Sequence, residues 1–202
     1  MTTASRSWSI LALLFSLAAC SRASDPAPTV APAAPSTATA KPPSPASPAA
    51  AVQGLDAAGQ FRIGAEDRCP VCAMPVSEHA KFASAIELAD ERTFYFCGTG
   101  CMIRAWMHPD VYLHAARTDL KRAVTRDYFE GRSLDAGEAV FVAGSDVVGP
   151  MGPALVPLRN DADVRTFSDR HGGKATFRLA DMDDARWEAM TGRKAVPAQV
   201  AP

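Results

Sequence analysis

The sequence has little net charge, few aromatic residues and only five cysteines. Its formal net charge is −1, and 7% of its residues are aromatic. A chain so close to neutrality offers no broad basic surface, so we expect no nucleic-acid partner. The apolar stretch at residues 8–17 is too short to cross a membrane as a helix. The placement of the few cysteines is therefore the main chemical signal.

Motifs typical of enzymes are also missing. The sequence has no Ser/His/Asp arrangement, no phosphate-binding loop and no pair of acids in a plausible catalytic setting. Cys69-Pro70-Val71-Cys72 resembles the motif of thiol–disulfide exchange enzymes. However, such a motif normally opens a long helix, and Pro75, three residues after Cys72, prevents one. We therefore predict a binding protein and not an enzyme.

The N-terminus has the pattern of an export signal. Arg6 supplies positive charge ahead of the apolar stretch, which ends in Leu17-Ala18-Ala19-Cys20. This ending resembles a bacterial lipobox, in which residues 1–19 are removed and the cysteine is lipidated. We therefore predict a lipoprotein that is anchored in the membrane through Cys20 and faces the periplasm. Ser21, in place of an aspartate, favours the outer membrane; ordinary cleavage that leaves a free thiol at Cys20 is the alternative.

Residues 20–58 are predicted to be a disordered linker. From residue 21 to about residue 53 the chain is almost entirely Ala, Pro, Ser and Thr, which supply too little bulky apolar surface to offset the entropy lost on ordering. Repeated prolines favour extended polyproline geometry, at about 3.1 Å per residue. The linker would therefore act as a tether for the folded domain. A second disordered segment is predicted at residues 196–202.

The folded part is predicted to be an α+β domain made of two small ββα halves that pack together, at residues 59–116 and 117–195. In the first half, residues 82–88 and the aromatic run at residues 93–96 indicate a hairpin. Residues 101–113 then show the spacing of a helix. The first half is therefore a cysteine-bearing turn followed by two strands and a helix.

The second half repeats this order of elements without a convincing sequence repeat. Its predicted elements are strands at 124–134 and 138–143, a loop at 144–153, a helix at 161–171 that stops at Gly172-Gly173, a strand at 175–179 and a short helix at 183–190. A parallel sheet would need longer crossover helices. The order therefore favours antiparallel sheets.

Four of the cysteines form two close pairs, Cys69/Cys72 and Cys97/Cys101, on either side of the predicted hairpin. Folding of the hairpin would bring the two pairs together. Thiolate and thioether ligands select Cu(I) and related soft ions, and Met74 adds a thioether that a zinc site does not need. The leading hypothesis is therefore a Cu(I) site.

Two other uses of the same cysteines remain open. In an oxidising compartment, Cys69/Cys72 and Cys97/Cys101 can form disulfides that stabilise a small domain. The spacing C-x2-C…C-x3-C also permits a closed structural Zn(II) site, in which case the domain would be a membrane-tethered interaction module. The cysteine pattern alone does not choose among these readings.

Several motifs together resemble a known family. They are Asp67-Arg68-Cys69-Pro70-Val71-Cys72-Ala73-Met74-Pro75-Val76, Gly100-Cys101-Met102-Ile103-Arg104, Gly144-Ser145-Asp146-Val147-Val148-Gly149-Pro150-Met151-Gly152-Pro153 and His171-Gly172-Gly173. With the lipoprotein leader, this combination is similar to the NosL accessory lipoproteins of nitrous oxide reductase, over residues 66–181. The resemblance implies a Cu(I)-binding chaperone of denitrification, built from two ββα halves. Its partner would be nitrous oxide reductase or the membrane machinery that assembles it.

The resemblance also implies a set of metal ligands. The family's Cys-x-x-Cys-x-Met motif falls on Cys69, Cys72 and Met74, and its Gly-Pro-Met-Gly loop adds a second thioether at Met151. Of these, Cys72, Met74 and Met151 are the first choices. A loop methionine is a detachable ligand, which suits a carrier that must release its ion.

The chain departs from the family pattern at two places, one of them Leu134, where an aromatic residue is usual. Where the family tends to have an acidic pair, this chain has Phe96-Cys97-Gly98-Thr99. The added thiol makes the stretch resemble the metal-binding knuckle called TRASH, whose ligands are a Cys followed far downstream by Cys-x-x-x-Cys. We therefore count Cys97, Cys101 and Met102 as further candidate ligands, although an apolar helix face also recruits methionine for packing. Zn(II) and a different client remain the alternatives.

Overall fold

The computed structural model describes residues 47–197. The elements in chain order are β1 (Ser84–Leu88), β2 (Thr93–Phe96), α1 (Thr99–Met107), α2 (Pro109–Tyr112), β3 (Leu120–Arg126), β4 (Ser133–Asp135), β5 (Val140–Ala143), β6 (Val148–Gly149), β7 (Gly152–Pro153), β8 (Val156–Leu158), α3 (Asp161–His171), β9 (Ala175–Phe177) and α4 (Asp184–Thr191). Short 3-10 helices lie at Ser77–Phe82, Arg117–Asp119 and Leu179–Asp181. The predicted α+β class is confirmed.

The first sheet has four antiparallel strands in the order β2-β1-β3-β4. Every residue of β1 and β2 is buried, because α1 packs against this sheet and the segment before the first cysteine adds further cover. In that segment the Phe61 ring lies 5.9 Å from the ring of Tyr95, centroid to centroid. The N–H of Arg62 also donates to the Tyr95 hydroxyl at 3.0 Å.

The second sheet has three antiparallel strands in the order β8-β5-β9. Helix α3 covers it by burying Phe167 in a small cluster with Val142, Val156 and Leu158. Phe141 on β5 stacks on Phe177 on β9, with 5.2 Å between ring centroids. Both rings belong to the same core as the buried residues of the first sheet. The two halves therefore share one large hydrophobic core.

Helix α3 spans the predicted residues because both of its ends carry strong signals. The Asn160 side chain accepts hydrogen bonds from the N–H groups of Ala162 and Asp163, which satisfies donors that the first turn leaves unpaired. Gly172 follows the last helical residue at φ 69°, a left-handed conformation that glycine adopts at little cost. The predicted 101–113 helix, in contrast, is interrupted by Pro109, which starts the separate helix α2.

The strands of the second half are divided differently from the prediction. Residues 124–134 are not one strand, because β3 and β4 pair with each other around a turn and complete the first sheet through β1. In that turn the Asp127 carboxylate accepts from the N–H of Glu130 at 2.7 Å, and Gly131 has φ 67°. Strand β5 joins the second sheet, so the predicted boundary at residue 117 does not separate the sheets. The loop at residues 144–153 contains the small β6–β7 hairpin.

The ordered part begins before residue 59 and continues past residue 195. The N–H of Ala51 donates to the carbonyl of Thr93 at 2.8 Å, and the Tyr95 hydroxyl donates to the carbonyl of Gln53 at 3.1 Å. Val196 packs against the core. Strand β2 is the edge of its sheet and leaves backbone groups free to pair. Composition suggested a disordered linker here because it carries no information about that edge.

Residues 1–46 and 198–202 are outside the described part, and the predicted signal peptide and lipid attachment at Cys20 lie there. Within residues 47–197, none of the helices combines the length and the hydropathy that a membrane crossing requires.

Candidate metal centre

The four cysteines of the folded domain form one cluster. The Sγ atoms of Cys69, Cys72, Cys97 and Cys101 all lie within 4.8 Å of one another. All four are free thiols. The distances are 3.4 Å between Cys72 and Cys97, 3.8 Å between Cys97 and Cys101, and 3.9 Å between Cys101 and Cys72. A tetrahedral ion with metal–sulfur bonds of about 2.3 Å holds its sulfurs about 3.8 Å apart. The cluster therefore has the size of a four-sulfur metal site.

The first cysteine pair lies on a tight turn. The N–H of Cys69 donates to the carbonyl of Met74 at 3.0 Å, and the N–H of Ala73 donates back to the carbonyl of Cys69 at 2.7 Å. Residues Arg68 and Pro75 pair as an isolated antiparallel bridge at the base of the turn. Ala73 has φ 60°, a left-handed conformation that costs energy for a residue with a Cβ. These bonds hold Cys69 and Cys72 on one side of the turn.

The second cysteine pair spans the junction of β2 and α1. Cys97 follows the last residue of β2, and Gly98 is the N-cap of α1. Cys101 lies in the first turn of the helix, where its N–H donates to the carbonyl of Gly98 at 3.1 Å. The partial positive charge at a helix N-terminus stabilises a thiolate. The junction thus places the sulfurs of two candidate ligands at the start of a helix.

Burial and hydrogen bonding distinguish the four thiols. Cys69, Cys97 and Cys101 are buried in the core, whereas Cys72 is half-buried. Hydrogen bonds from Cys101, and then from Cys69 and Cys97, lower the pKa of the Cys72 thiol. Hydrogen bonding to Cys69 and Cys72 raises the pKa of Cys101. Cys72 is therefore both the most accessible sulfur of the cluster and one that readily loses its proton.

The candidate methionine ligands occupy three different environments. Met74 is half-buried and packs against the core beside the cysteine turn. Met151 is 44% exposed and lies in the turn between β6 and β7, where Arg193 donates to its carbonyl at 3.5 Å. Met102 is fully buried in the core on α1, as expected of a packing residue. The choice of thioether ligands stays a prediction.

The turn that carries Met151 lies close to the cysteine cluster. A Cβ added to Gly98 would lie 3.8 Å from Cδ of Pro150 and 4.0 Å from Cβ of Phe82. The residue that follows Cys97 therefore meets the residue that precedes Met151. The motif containing Cys97 and the Gly-Pro-Met-Gly loop, far apart in sequence, are neighbours in the fold.

A cavity of about 1380 Å³ opens beside the cluster and has both Cys101 and Met151 in its lining. Sequence reasoning did not predict it. Its walls come from the 3-10 helix at Ser77–Phe82, the start of α1, the turn between β3 and β4, the β6–β7 hairpin and the ends of α3 and α4. No sequence motif marks it, because its residues meet only when the two sheets share their core.

The histidines near the site are engaged elsewhere. His171 lies at the end of α3, where Nδ1 is 2.8 Å from a carboxylate oxygen of Asp146 and Nε2 is 3.1 Å from the Tyr128 hydroxyl. His108 Nε2 is 2.7 Å from a carboxylate oxygen of Asp184 on α4. The cluster of potential metal ligands consists of cysteines alone. Such a donor set fits a soft ion and not a hard one.

Comparison with known proteins relates this arrangement to a family. The NosL family model matches residues 60–187. The copper-binding lipoprotein NosL of Stutzerimonas stutzeri is 28% identical over 123 residues, which cover 59% of this chain and 63% of that protein. The crystal structure of the copper chaperone NosL from Shewanella denitrificans is similar with a TM-score of 0.52 and 20% identity, over 63% of this chain and 98% of that one. The structural match supports the fold, and the family model covers more than half of the sequence. The chain belongs to the NosL family.

Proposed function

We propose that the protein is a membrane-anchored copper chaperone that holds Cu(I) and supplies it for the maturation of nitrous oxide reductase. The observation that carries the proposal is the cluster of four Sγ atoms within 4.8 Å, next to an open cavity that Met151 also lines. Family membership adds support, because the named relatives are a copper-binding lipoprotein and a copper chaperone. No catalytic step is part of this role.

The sulfur cluster suits Cu(I) chemically. Cu(I) is a soft ion that thiolate and thioether ligands select over carboxylates. It needs only two or three ligands, so not all four cysteines have to bind at once. Cys72 is the half-buried member of the cluster, and it therefore offers the incoming or outgoing ion its first sulfur. In the proposal, Cys72, Met74 and Met151 bind the ion. Further thiols close to Cys72 belong to Cys69, Cys97 and Cys101.

The same geometry supports the release step of the proposal. A carrier must let a partner's ligand bind before its own ligands release the ion. Met151 lies on an exposed turn and is a neutral ligand, so its bond to the metal can break without leaving an uncompensated charge. Release is then completed by transfer from Cys72, the thiol nearest to solvent in the cluster.

A structural Zn(II) site is the second candidate, and one observation favours it. Three of the four cysteines are buried to 3% exposure or less, and closed tetrahedral four-cysteine sites are typical of structural zinc. In that case the ion would hold the cysteine turn against the β2–α1 junction permanently. The protein would then be a membrane-tethered interaction module whose metal serves only its fold.

Competition titrations distinguish the two candidates. The mature domain, reduced and under anaerobic conditions, is titrated with Cu(I) against bicinchoninate and with Zn(II) against 4-(2-pyridylazo)resorcinol. A chaperone is expected to take one Cu(I) tightly, and X-ray absorption at the copper edge should show a sulfur shell with the edge position of Cu(I). A strong preference for one Zn(II), with Cu(I) held no better than by the bicinchoninate competitor, would reject the copper function.

The client is tested separately in a denitrifying host. Deletion of the gene is expected to leave nitrous oxide reductase synthesised but low in copper, and the wild-type gene should restore the copper content. A Cys72→Ser gene should fail to restore it. Normal copper content of the enzyme in the deletion strain would show that the protein serves another client.

A further inference from the structure

The large cavity beside the cysteine cluster has features that copper binding does not use. At about 1380 Å³ it exceeds the 300 to roughly 1000 Å³ of a usual small-molecule pocket. It is an open groove lined by the N-terminal turn of α1, the β3–β4 turn, the Met151 turn and the ends of α3 and α4. A metal ion alone would occupy very little of it.

The groove is strongly cationic although the whole chain has a net charge of −1. Seven lysine and arginine side chains line it, against two acids, Asp127 and Glu130. Both acids are already matched, because Arg159, outside the groove, lies 2.6 Å from Glu130 and 3.9 Å from Asp127. Five of the cations are exposed and form no salt bridge within residues 47–197, namely Lys81, Arg170, Lys174, Arg193 and Lys194. The groove therefore attracts negative charge.

Apolar side chains lie among these cations. Within the described residues, four large hydrophobic side chains are exposed, and two of them, Phe129 and Met151, line the groove. Aromatic residues, methionine and arginine are the types enriched at protein–protein interfaces. A surface that bound only free inorganic anions would not require the exposed apolar side chains of Phe129 and Met151.

We propose that this groove is the docking site for an extended acidic segment of a partner protein. The carboxylates of the segment pair with the five exposed cations, and its apolar residues pack on Phe129 and Met151. The segment would lie beside Cys101 and the Met151 turn, so its own sulfur or imidazole ligands would be held next to the ion. The biological role of this docking rests on the proposed function, but binding of the segment to the groove does not require copper.

The test uses the mature protein and a synthetic probe. The probe is a fluorescein-labelled peptide of about twelve residues in which Asp and Glu alternate with Leu and Met, and its binding is followed by the anisotropy of the label. A double charge reversal, Arg170→Glu with Lys194→Glu, is expected to weaken binding at least tenfold, because two exposed ion pairs become repulsive contacts. Neither side chain makes a hydrogen bond to a described residue, so the variant should fold normally, as thermal unfolding can verify.

The matched control reverses two charges outside the groove. Arg62→Glu with Arg165→Glu changes the net charge equally, and both side chains are exposed and absent from the groove lining. If the groove and not the net charge determines peptide affinity, the affinity of this variant should be within about twofold of that of the wild type. Equal weakening by both double variants, or no weakening by either, would overturn the proposal.

Other occupants give distinct outcomes. Binding of vesicles containing phosphatidylglycerol with no binding of the peptide would assign the cations to a lipid surface and reject the protein segment. Complete displacement of the peptide by millimolar phosphate or citrate would show that the groove is a site for small anions and would reject the protein segment. Cu(I) affinity, measured on the same variants, should not change. Tight Cu(I) binding by a wild-type protein that does not bind the peptide would therefore fail only this inference, and peptide binding by a wild-type protein without tight Cu(I) affinity would fail only the copper function.

Discussion

The Sγ atoms of Cys72 and Cys97 lie 3.4 Å apart although the residues are 25 positions apart in the chain. Cys72 belongs to the tight turn before β1, whereas Cys97 belongs to the junction of β2 and α1. The β1–β2 hairpin between them brings the two segments to the same end of the sheet. An ion bound here would link two separate parts of the fold, so metal affinity and stability are coupled at this site.

The cysteines are expected to differ in their effect on Cu(I). Cys72→Ser should weaken Cu(I) binding by at least about 10 to 100-fold, because even changes outside the immediate ligands of a metal commonly cost that much. If the Cys72, Met74 and Met151 set governs the site, Cys97→Ser and Cys101→Ser should weaken binding less. Equal losses for all the variants would instead assign a four-thiol site. Competition titration against bicinchoninate measures the order.

Met151 is expected to contribute to copper affinity without contributing to the fold. Met151→Leu removes the sulfur but keeps a similar apolar volume, so Cu(I) affinity should fall by less than about tenfold with no change in thermal stability. Met107→Leu is the matched control, since Met107 packs against the core at the end of α1. Identical Cu(I) affinities in the Met151 variant and the Met107 variant would remove Met151 from the ligand set.

Removal of the metal is expected to lower the stability of the domain without unfolding it. A ligand at about 100 times its Kd stabilises by about 2.7 kcal/mol, which corresponds to a change in Tm of about 5–10 °C for a domain of this size. Apart from the cysteines, the core of the two sheets is built from apolar side chains that pack without a metal. Circular dichroism of the apo protein should therefore show native secondary structure and a lower Tm. A fully unfolded apo protein would indicate a structural zinc site.

Glu87 is expected to make the stability depend on acid pH. Burial alone would raise its pKa, but hydrogen bonds from Lys121 and Arg122 outweigh burial and bring the pKa below its ordinary value of 4.5. Because the folded pKa is the lower one, the stabilisation is present above pH 4.5 and is lost as the pH falls through the folded pKa. Glu87→Gln should cost about 1–3 kcal/mol near neutral pH.

Urea unfolding between neutral and acid pH measures this contribution. The difference between the wild type and Glu87→Gln should shrink as the pH falls below 4.5. Glu138→Gln is the control, because Glu138 is exposed and its side chain forms no salt bridge within the described residues. A difference that does not change with pH would show that the Glu87 pairs do not contribute through ionisation.

The lipid anchor is tested at Cys20. Cys20→Ser should move the protein from the membrane fraction to the soluble fraction, because a lipid can then no longer be attached. Cu(I) affinity should not change, because the cysteine cluster lies within the separately folded part of the chain. Fractionation of cells that express the variant measures the result. Unchanged membrane association would contradict attachment at this residue.

Local signals predicted much of the fold. The β1–β2 hairpin followed from the strand patterns on either side of a polar turn, and the end of α3 followed from the glycines after His171. The turn inside residues 124–134 was missed because Asp127 and Gly131 are separated by residues that a strand also accepts. Pairing of residues near Ala51 with β2 was missed because composition does not show which strand forms an edge.

For the candidate site, the sequence by itself determined the donor chemistry. Two cysteine pairs and nearby methionines offer sulfur ligands wherever they meet, because the affinity of sulfur for soft ions belongs to the side chains themselves. Spacing also placed each pair within reach of one ion, since residues three or four positions apart in a turn or a helical start are neighbours.

Only the tertiary structure decided which sulfurs meet, how accessible each is and what surrounds them. The approach of Cys72 to Cys97, the exposure of Met151 and the cationic groove beside Cys101 all depend on contacts between distant segments. Such contacts arise when the two sheets bury a common core. That burial is a collective property of the chain, because the hydrophobic effect acts on total buried area and is not directional, so no local pattern encodes it.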